Sequence, residues 1–191
     1  MSRPPAERSG SRQGASGEQA WGRQGIVRSI NVSRGGVPKR PVAAASIHRA
    51  GLQGDGHDDP RHGGPEAAVS LFSLEVITRI AAEGHPIGPG TTGENLTVEG
   101  LDWSLVVPGT LLRVGEVVLG ITGFTAPCRT IRGSFLDGDP SRVHQQQHPG
   151  ESRVYAQVLA EGAITTGEAI EILDDGGAHH GNVISMGGDH A

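Results

Sequence analysis

The chain has one cysteine, Cys128, so it cannot form an internal disulfide, and it fits a reducing, cytoplasmic setting. It has one lysine, Lys39, the sole candidate for a Schiff base, placed among turn residues. Pyridoxal phosphate chemistry needs such a lysine and is therefore not expected. No apolar run approaches membrane-spanning length, so no membrane partner is expected. Gly-x-Ser-x-Gly elbows, Walker A loops and Gly-x-Gly-x-x-Gly turns after a strand are all missing. The formal net charge of −5 argues against a nucleic-acid partner. Flavin, haem and iron–sulfur motifs are also missing, so redox chemistry would draw electrons from a separate donor.

What the chain does have is glycine, 31 residues of it, well above ordinary usage. Residues 1–24 are Ser, Gly, Arg, Pro and Gln with almost nothing apolar, and they read as a disordered tail. They hold no apolar segment of the kind a secretion signal requires. Residues 174–191 are Gly- and His-rich and read as a second flexible tail. Residues 25–173 are enough for one core, and nothing in the sequence fixes the oligomeric state.

Within that span, short apolar runs alternate with Gly and Pro turns. Residues 25–33, 42–49, 68–72, 95–99, 153–160 and 168–173 read as strands, the last two joined through Gly162 and Gly167. Residues 110–114 and 117–124 read as a hairpin around Gly115-Glu116. Ser73 caps a predicted helix from Leu74 to about Glu83, with Leu74, Ile77 and Ile80/Ala81 on one face and Gly84 as its stop. Asp139 with Pro140 predicts a short helix. Many short strands and few helices predict a mainly β fold, a barrel or a sandwich.

Cys128 stands after the run 117–124, between Pro127 and Arg129, with Arg132 close by. It reads either as a small buried hydrophobe or as a thiolate favoured by nearby guanidinium groups. The polar loop 50–65 carries His57, Asp58, Asp59 and His62, a weak match to a metal set. Gly63 and Gly64 allow backbone N–H groups to approach an anion. Glu94-Asn95 could place a carboxylate and an amide at a barrel mouth, or form a turn in which Asn95 bonds its own backbone. Arg34, Lys39, Arg40, Arg49 and Arg61 make a cationic group suited to phosphate. Taken with the lone cysteine, these residues fit a phosphate-bearing cofactor and a thiophilic metal such as molybdenum. A Cys–His hydrolase would need one of His57, His62, His85, His144 or His148 beside Cys128.

Five motifs occur in an order that resembles one family. They are Gly51-Leu52-Gln53-Gly54-Asp55, His62-Gly63-Gly64-Pro65, Gly93-Glu94-Asn95-Leu96, Pro127-Cys128 and the run from Arg153 to Leu159. Over residues 25–173 the chain resembles the MOSC family, related to the C-terminal part of molybdenum cofactor sulfurases, and most of all its small stand-alone bacterial members. The resemblance implies a distorted β-barrel and a pocket for a molybdopterin-type molybdenum cofactor. It implies Cys128 as the residue that binds molybdenum or carries sulfur. Some relatives reduce N-hydroxylated bases and amidoximes, and others are thought to carry sulfur. The chain departs from relatives at Gly167-Glu168, where Gly-Asp is common. The stand-alone form also lacks the pyridoxal-phosphate desulfurase domain of full sulfurases.

The site expected on this basis has Cys128 as metal ligand, and Gly63, Gly64, Lys39, Arg49, Arg61 and Arg129 around the cofactor. Glu94 and Asn95 border a small-molecule substrate and His62 relays a proton. A sulfur-carrier or sulfurtransferase module fed by a cysteine desulfurase, and a non-catalytic cofactor-binding module, are the alternatives. The active-site reading requires Cys128, His62, Glu94 and Asn95 to converge on one pocket.

Overall fold

The computed structural model describes residues 22–56 and 63–173. Eleven strands and one α-helix follow in order among them: β1 (Gln24–Val32), β2 (Arg40–Val42), β3 (Ala44–His48), β4 (Gly51–Leu52), β5 (Val69–Ser73), α1 (Leu74–Ala82), β6 (Leu96–Glu99), β7 (Leu111–Val114), β8 (Val117–Phe124), β9 (Val154–Ala160), β10 (Gly162–Thr165) and β11 (Ala169–Ile172). The main sheet runs β11-β7-β8-β9-β5-β6-β1-β2, and pairing of β11 with β1 closes all but β2 into a barrel. Of the barrel and the sandwich that the short strands predict, the chain forms the barrel, as the family resemblance implies. Among the described residues no helix is long and apolar enough to cross a membrane.

The barrel closes because its strands bury branched side chains on the inner face. Val27, Ile30, Leu71, Leu96, Leu112, Leu119 and Ile170 are all fully buried. Each such side chain contributes about 1.5–3 kcal/mol relative to exposure. β5 is buried along its whole length and runs parallel to β6, a pairing that needs a crossover. α1 supplies it. Its N-cap Ser73 accepts a hydrogen bond from the Val76 amide at 3.3 Å, and Gly84 past its end has φ 98°. The buried face is Val76, Ile77 and Ile80, while Leu74 is only half-buried.

Two strand expectations are corrected. Residues 42–49 do not form one strand: β2 pairs with β1, whereas β3 pairs with β10 and β4 in a separate three-stranded sheet. The chain changes sheets at Ala43, whose carbonyl accepts from the Thr166 amide at 2.9 Å. The connection through Gly162 and Gly167 itself contains a strand, β10, which the pattern does not mark because Ile164 is its only buried residue.

Between β8 and β9 the chain makes a long excursion, residues 125–153. Its neck is closed by the Thr125 amide on the Arg153 carbonyl at 3.0 Å and by Trp103 Nε1–H on the Ser152 carbonyl at 3.0 Å. Its 3-10 turns, Arg129–Ser134 and Pro140–Val143, bury Ile131, Phe135 and Val143. Asp139 caps the second, accepting from the Ser141 amide at 2.9 Å. A charge cluster ties the excursion to α1. Arg142 meets Glu83 at 2.5 and 2.8 Å and also pairs with Glu151, which takes Arg79 at 2.8 Å.

Both carboxylates sit below the ordinary range. For Glu151 burial pushes the carboxyl up, but Arg142 and Arg79 outweigh it; Glu83 is drawn down mainly by its bond to Arg142. A depressed folded value means stability that is present above the unfolded glutamate value of about 4.3 and lost as pH falls through the folded values. Arg142→Ala is therefore expected to cost about 1 kcal/mol at neutral pH, with the gap to wild type closing in acid. Urea midpoints at neutral and acidic pH would check this; a gap that stays constant into acid would contradict it.

Candidate functional site

The barrel rim and the excursion enclose a cavity of about 260 Å³. Lys39 enters from the turn before β2, Asn95 from the residue before β6, Arg153 from the residue before β9, and Cys128 from the excursion. Gly63, Gly93, Thr130 and Tyr155 complete much of its wall. These groups are far apart in sequence, and the strand ends bring them together.

Cys128 is half-buried and begins the 3-10 turn Arg129–Ser134 in an extended conformation. Burial pushes its thiol up. The Thr130 hydroxyl, the Thr130 amide, the Arg153 guanidinium and the Ile131 amide together outweigh that, and the thiol lies below its ordinary value. Thiolate character, the requirement for a nucleophile or a soft metal ligand, is thus favoured at this sulfur.

Lys39 is buried and forms an ion pair with Asp55, both side chains about 5% exposed. Burial pulls the ammonium below its ordinary value, with Asp55 acting against it. Asp55 also accepts from Asn95 Nδ2 at 2.8 Å and from the Ser33 amide at 2.9 Å. Asn95 Oδ1 in turn accepts from the Ser70 amide and the Ser70 hydroxyl, each at 3.1 Å. The wall carrying Lys39 and Asn95 is therefore a closed polar network. Gly90 holds it in place: its carbonyl takes the Lys39 amide at 2.9 Å, its φ is 78°, and a Cβ there would lie 2.5 Å from the Lys39 carbonyl oxygen.

Arg153 is 6% exposed. One terminal nitrogen donates to the Thr92 carbonyl, and Nε has no hydrogen-bond partner among the described residues. A buried guanidinium N–H without an acceptor is costly, and here it belongs to a cavity-lining residue.

The residues singled out from sequence fall into three groups. Cys128, Asn95, Lys39 and Gly63 share the cavity. Glu94 does not border it. Its carboxylate is fully buried and accepts from the Gly90 amide at 2.5 Å, the Thr92 hydroxyl at 2.7 Å and the Thr97 hydroxyl at 3.1 Å, so it braces the turn that carries Asn95. Arg129 and Gly64 are exposed and are not among the cavity residues. Arg34 and Arg40 are exposed too, and the Arg49 guanidinium donates to the Val158 carbonyl, away from the cavity, while its main-chain amide donates to Glu161. Adjacency in sequence did not bring these guanidinium groups to the sulfur, because their chain positions face outward.

His62 and Arg61, with His57, Asp58 and Asp59, lie outside the described residues. His85 accepts from the Leu136 amide at 3.1 Å, and neither it nor His144 nor His148 lines the cavity, so no described histidine serves the thiol as a base. Among the described residues no group of three or more His, Cys, Asp or Glu is placed to hold a metal ion. Arg153 and Asp55 are the site residues to which the sequence gives no role: both stand inside motifs of the family resemblance, and only the spatial neighbours show what they do.

The family model for the MOSC domain matches residues 58–171. The Bacillus subtilis protein YflK is 32% identical over 150 residues, covering 74% of this chain and 64% of its own. YiiM of Escherichia coli is 27% identical over 129 residues, covering 64% of this chain and 56% of its own. The chain thus spans less than two thirds of either relative's length. The crystal structure of YiiM from Geobacillus stearothermophilus superposes with a TM-score of 0.62 at 23% identity, over 78% of this chain and 75% of that one. The YUAD protein of Bacillus subtilis gives 0.61 at 19% identity, over 78% and 95%. At such identities the solved structures speak for the barrel alone.

Proposed function

Because the chain belongs to the MOSC domain family, we propose that its cavity holds a molybdenum cofactor, with Cys128 as the protein's own ligand to the metal, and that it reduces N-hydroxylated compounds. One observation carries the reading: a single cavity is lined both by Cys128, whose thiol is held below its ordinary value, and by buried Arg153, which has no ion pair among the described residues. A soft sulfur ligand suits molybdenum, and a buried guanidinium without a counter-ion suits a group rich in anionic oxygens, so the residues fit such a cofactor.

In this reading Cys128 is the ligand and Arg153 meets anionic oxygens. Gly63 and Gly93, with φ of 89° and 84°, carry main chain along the cavity wall in a conformation that other residues rarely adopt. Asn95 and Lys39, fixed by Asp55, shape the wall opposite. The chemistry such a centre supplies is two-electron reduction at an N–O bond. Electrons then come from a separate donor protein. The partly enclosed cavity limits water at the thiol, which strengthens the polarising effect of Arg153.

The experiment is reduction of a benzamidoxime to benzamidine by the full-length chain from cofactor-replete cells, with reduced viologen as electron source. Amidine formation that disappears in Cys128→Ser is the expected result. Molybdenum-loaded protein that forms no amidine would refute the reductase activity. The same polarised thiol also suits a sulfur carrier. In that case incubation with a cysteine desulfurase and cysteine adds one sulfur mass to Cys128, and no such adduct is expected if the residue is the metal ligand.

A further inference from the structure

Two buried cations line the cavity, and their circumstances differ. The Lys39 ammonium is neutralised by Asp55, whose remaining acceptor capacity is taken by Asn95 and the Ser33 amide. Arg153 has no ion pair among the described residues. Its one acceptor among the described residues is a neutral carbonyl, that of Thr92, and its Nε–H has none there. Removing a charge from water is repaid by an opposite charge in good geometry. Lys39 has that repayment within the protein, and Arg153 does not.

We propose that Arg153, rather than Lys39, is the cation through which the cavity holds a phosphate- or sulfate-like oxyanion, its guanidinium meeting the anionic oxygens. The site is built. Arg153 is more than nine-tenths buried, is among the residues that line the cavity, and is fixed by its bond to Thr92. Glycines at 36, 56, 63 and 93 line the same cavity, so part of its wall is main chain. The guanidinium also has the planar donor array that oxyanions match. The inference deepens the cofactor reading, since the oxyanion can belong to the phosphate ester of a bound cofactor or be a free inorganic anion. It needs no metal to be present.

The test is calorimetric titration of the full-length chain with inorganic phosphate, inorganic sulfate and phenyl phosphate, at ionic strength held constant with potassium chloride. Saturable binding of at least one is expected, together with a rise of a few degrees in the unfolding midpoint at saturation. Binding of the inorganic anions marks a free oxyanion site, and binding of phenyl phosphate alone marks a site for esters. Arg153→Gln is expected to weaken binding about tenfold or more, and Arg153→Lys, which keeps the charge but lacks the planar donor array, to do nearly the same. The double variant Lys39→Met with Asp55→Asn, which removes the ion pair as a unit, is expected to stay within roughly threefold of wild type. Circular dichroism checks that each variant is folded.

No saturable binding by any probe overturns the proposal. So does an equal loss in the Lys39/Asp55 variant, or full retention in both folded Arg153 variants. Metal content is not read in this experiment. Phosphate binding through Arg153 in a chain that never takes up molybdenum would sink the cofactor reading and leave this inference standing, and the reverse result would do the opposite.

Discussion

Cys128→Ser is expected to lower molybdenum content by roughly 100-fold or more when the variant and the wild type are expressed side by side in cofactor-replete cells, since even outer-shell changes at metal sites cost 10–100-fold. Serine keeps the size of the side chain but replaces a soft, easily ionised sulfur with a hard hydroxyl. In wild type the Thr130 hydroxyl, the Thr130 and Ile131 amides and Arg153 all favour the thiolate. A serine hydroxyl at the same place would still accept hydrogen bonds but would not ionise near neutral pH. Cys128 is only half-buried and begins a 3-10 turn, so the exchange should leave the unfolding midpoint within a degree or two. Metal analysis and a thermal melt of the same samples check both halves. Undiminished molybdenum in the serine variant would show that the metal is held by other groups.

Asp55→Ala should be among the most destabilising single changes near the cavity. It removes the counter-charge of Lys39 and the acceptor for Asn95 Nδ2 and the Ser33 amide. Breaking one side of a buried ion pair typically costs about 3–5 kcal/mol, because the remaining charge is left without compensation. The loss should depend on pH. Burial already holds Lys39 below its ordinary value, and Asp55 is its strongest opposing influence. Without Asp55 the folded chain holds the Lys39 proton still less tightly than the unfolded chain does. The unfolded state then binds more protons, and stability rises with pH toward the ordinary lysine range. The deficit of the variant should therefore shrink as pH is raised from neutral. Lys39→Met with Asp55→Asn should recover most of it even at neutral pH. Urea unfolding at neutral and alkaline pH measures these differences. A deficit under about 1 kcal/mol that does not change with pH would mean that the pair is hydrated rather than buried.

How much of this was legible in the sequence follows from the range of each interaction. The β7–β8 hairpin, α1 and the Asp139 cap depend on residues within a few positions of one another, and the pattern marks them directly. The splitting of residues 42–49 between two sheets depends on β10, more than a hundred residues later, so local alternation carries no trace of it. The site divides in the same way. Cys128 stood out because the chain has no other cysteine, and Asn95 because it sits between a glycine turn and a strand. Glu94 looked equally polar, but three donors turn its carboxylate inward, and two of them belong to residues behind it in the chain. Arg129 drew attention by standing next to Cys128. The guanidinium that acts on the sulfur is that of Arg153, 25 residues further on, brought there by the closed neck of the excursion.

The most direct measurement is the molybdenum and pterin content of the wild-type chain purified from cofactor-replete cells, read together with the alkylation state of Cys128. The account predicts stoichiometric molybdenum with pterin, and a Cys128 that resists iodoacetamide until the metal is removed. A chain that carries no molybdenum under these conditions, with Cys128 freely alkylated throughout, would contradict it.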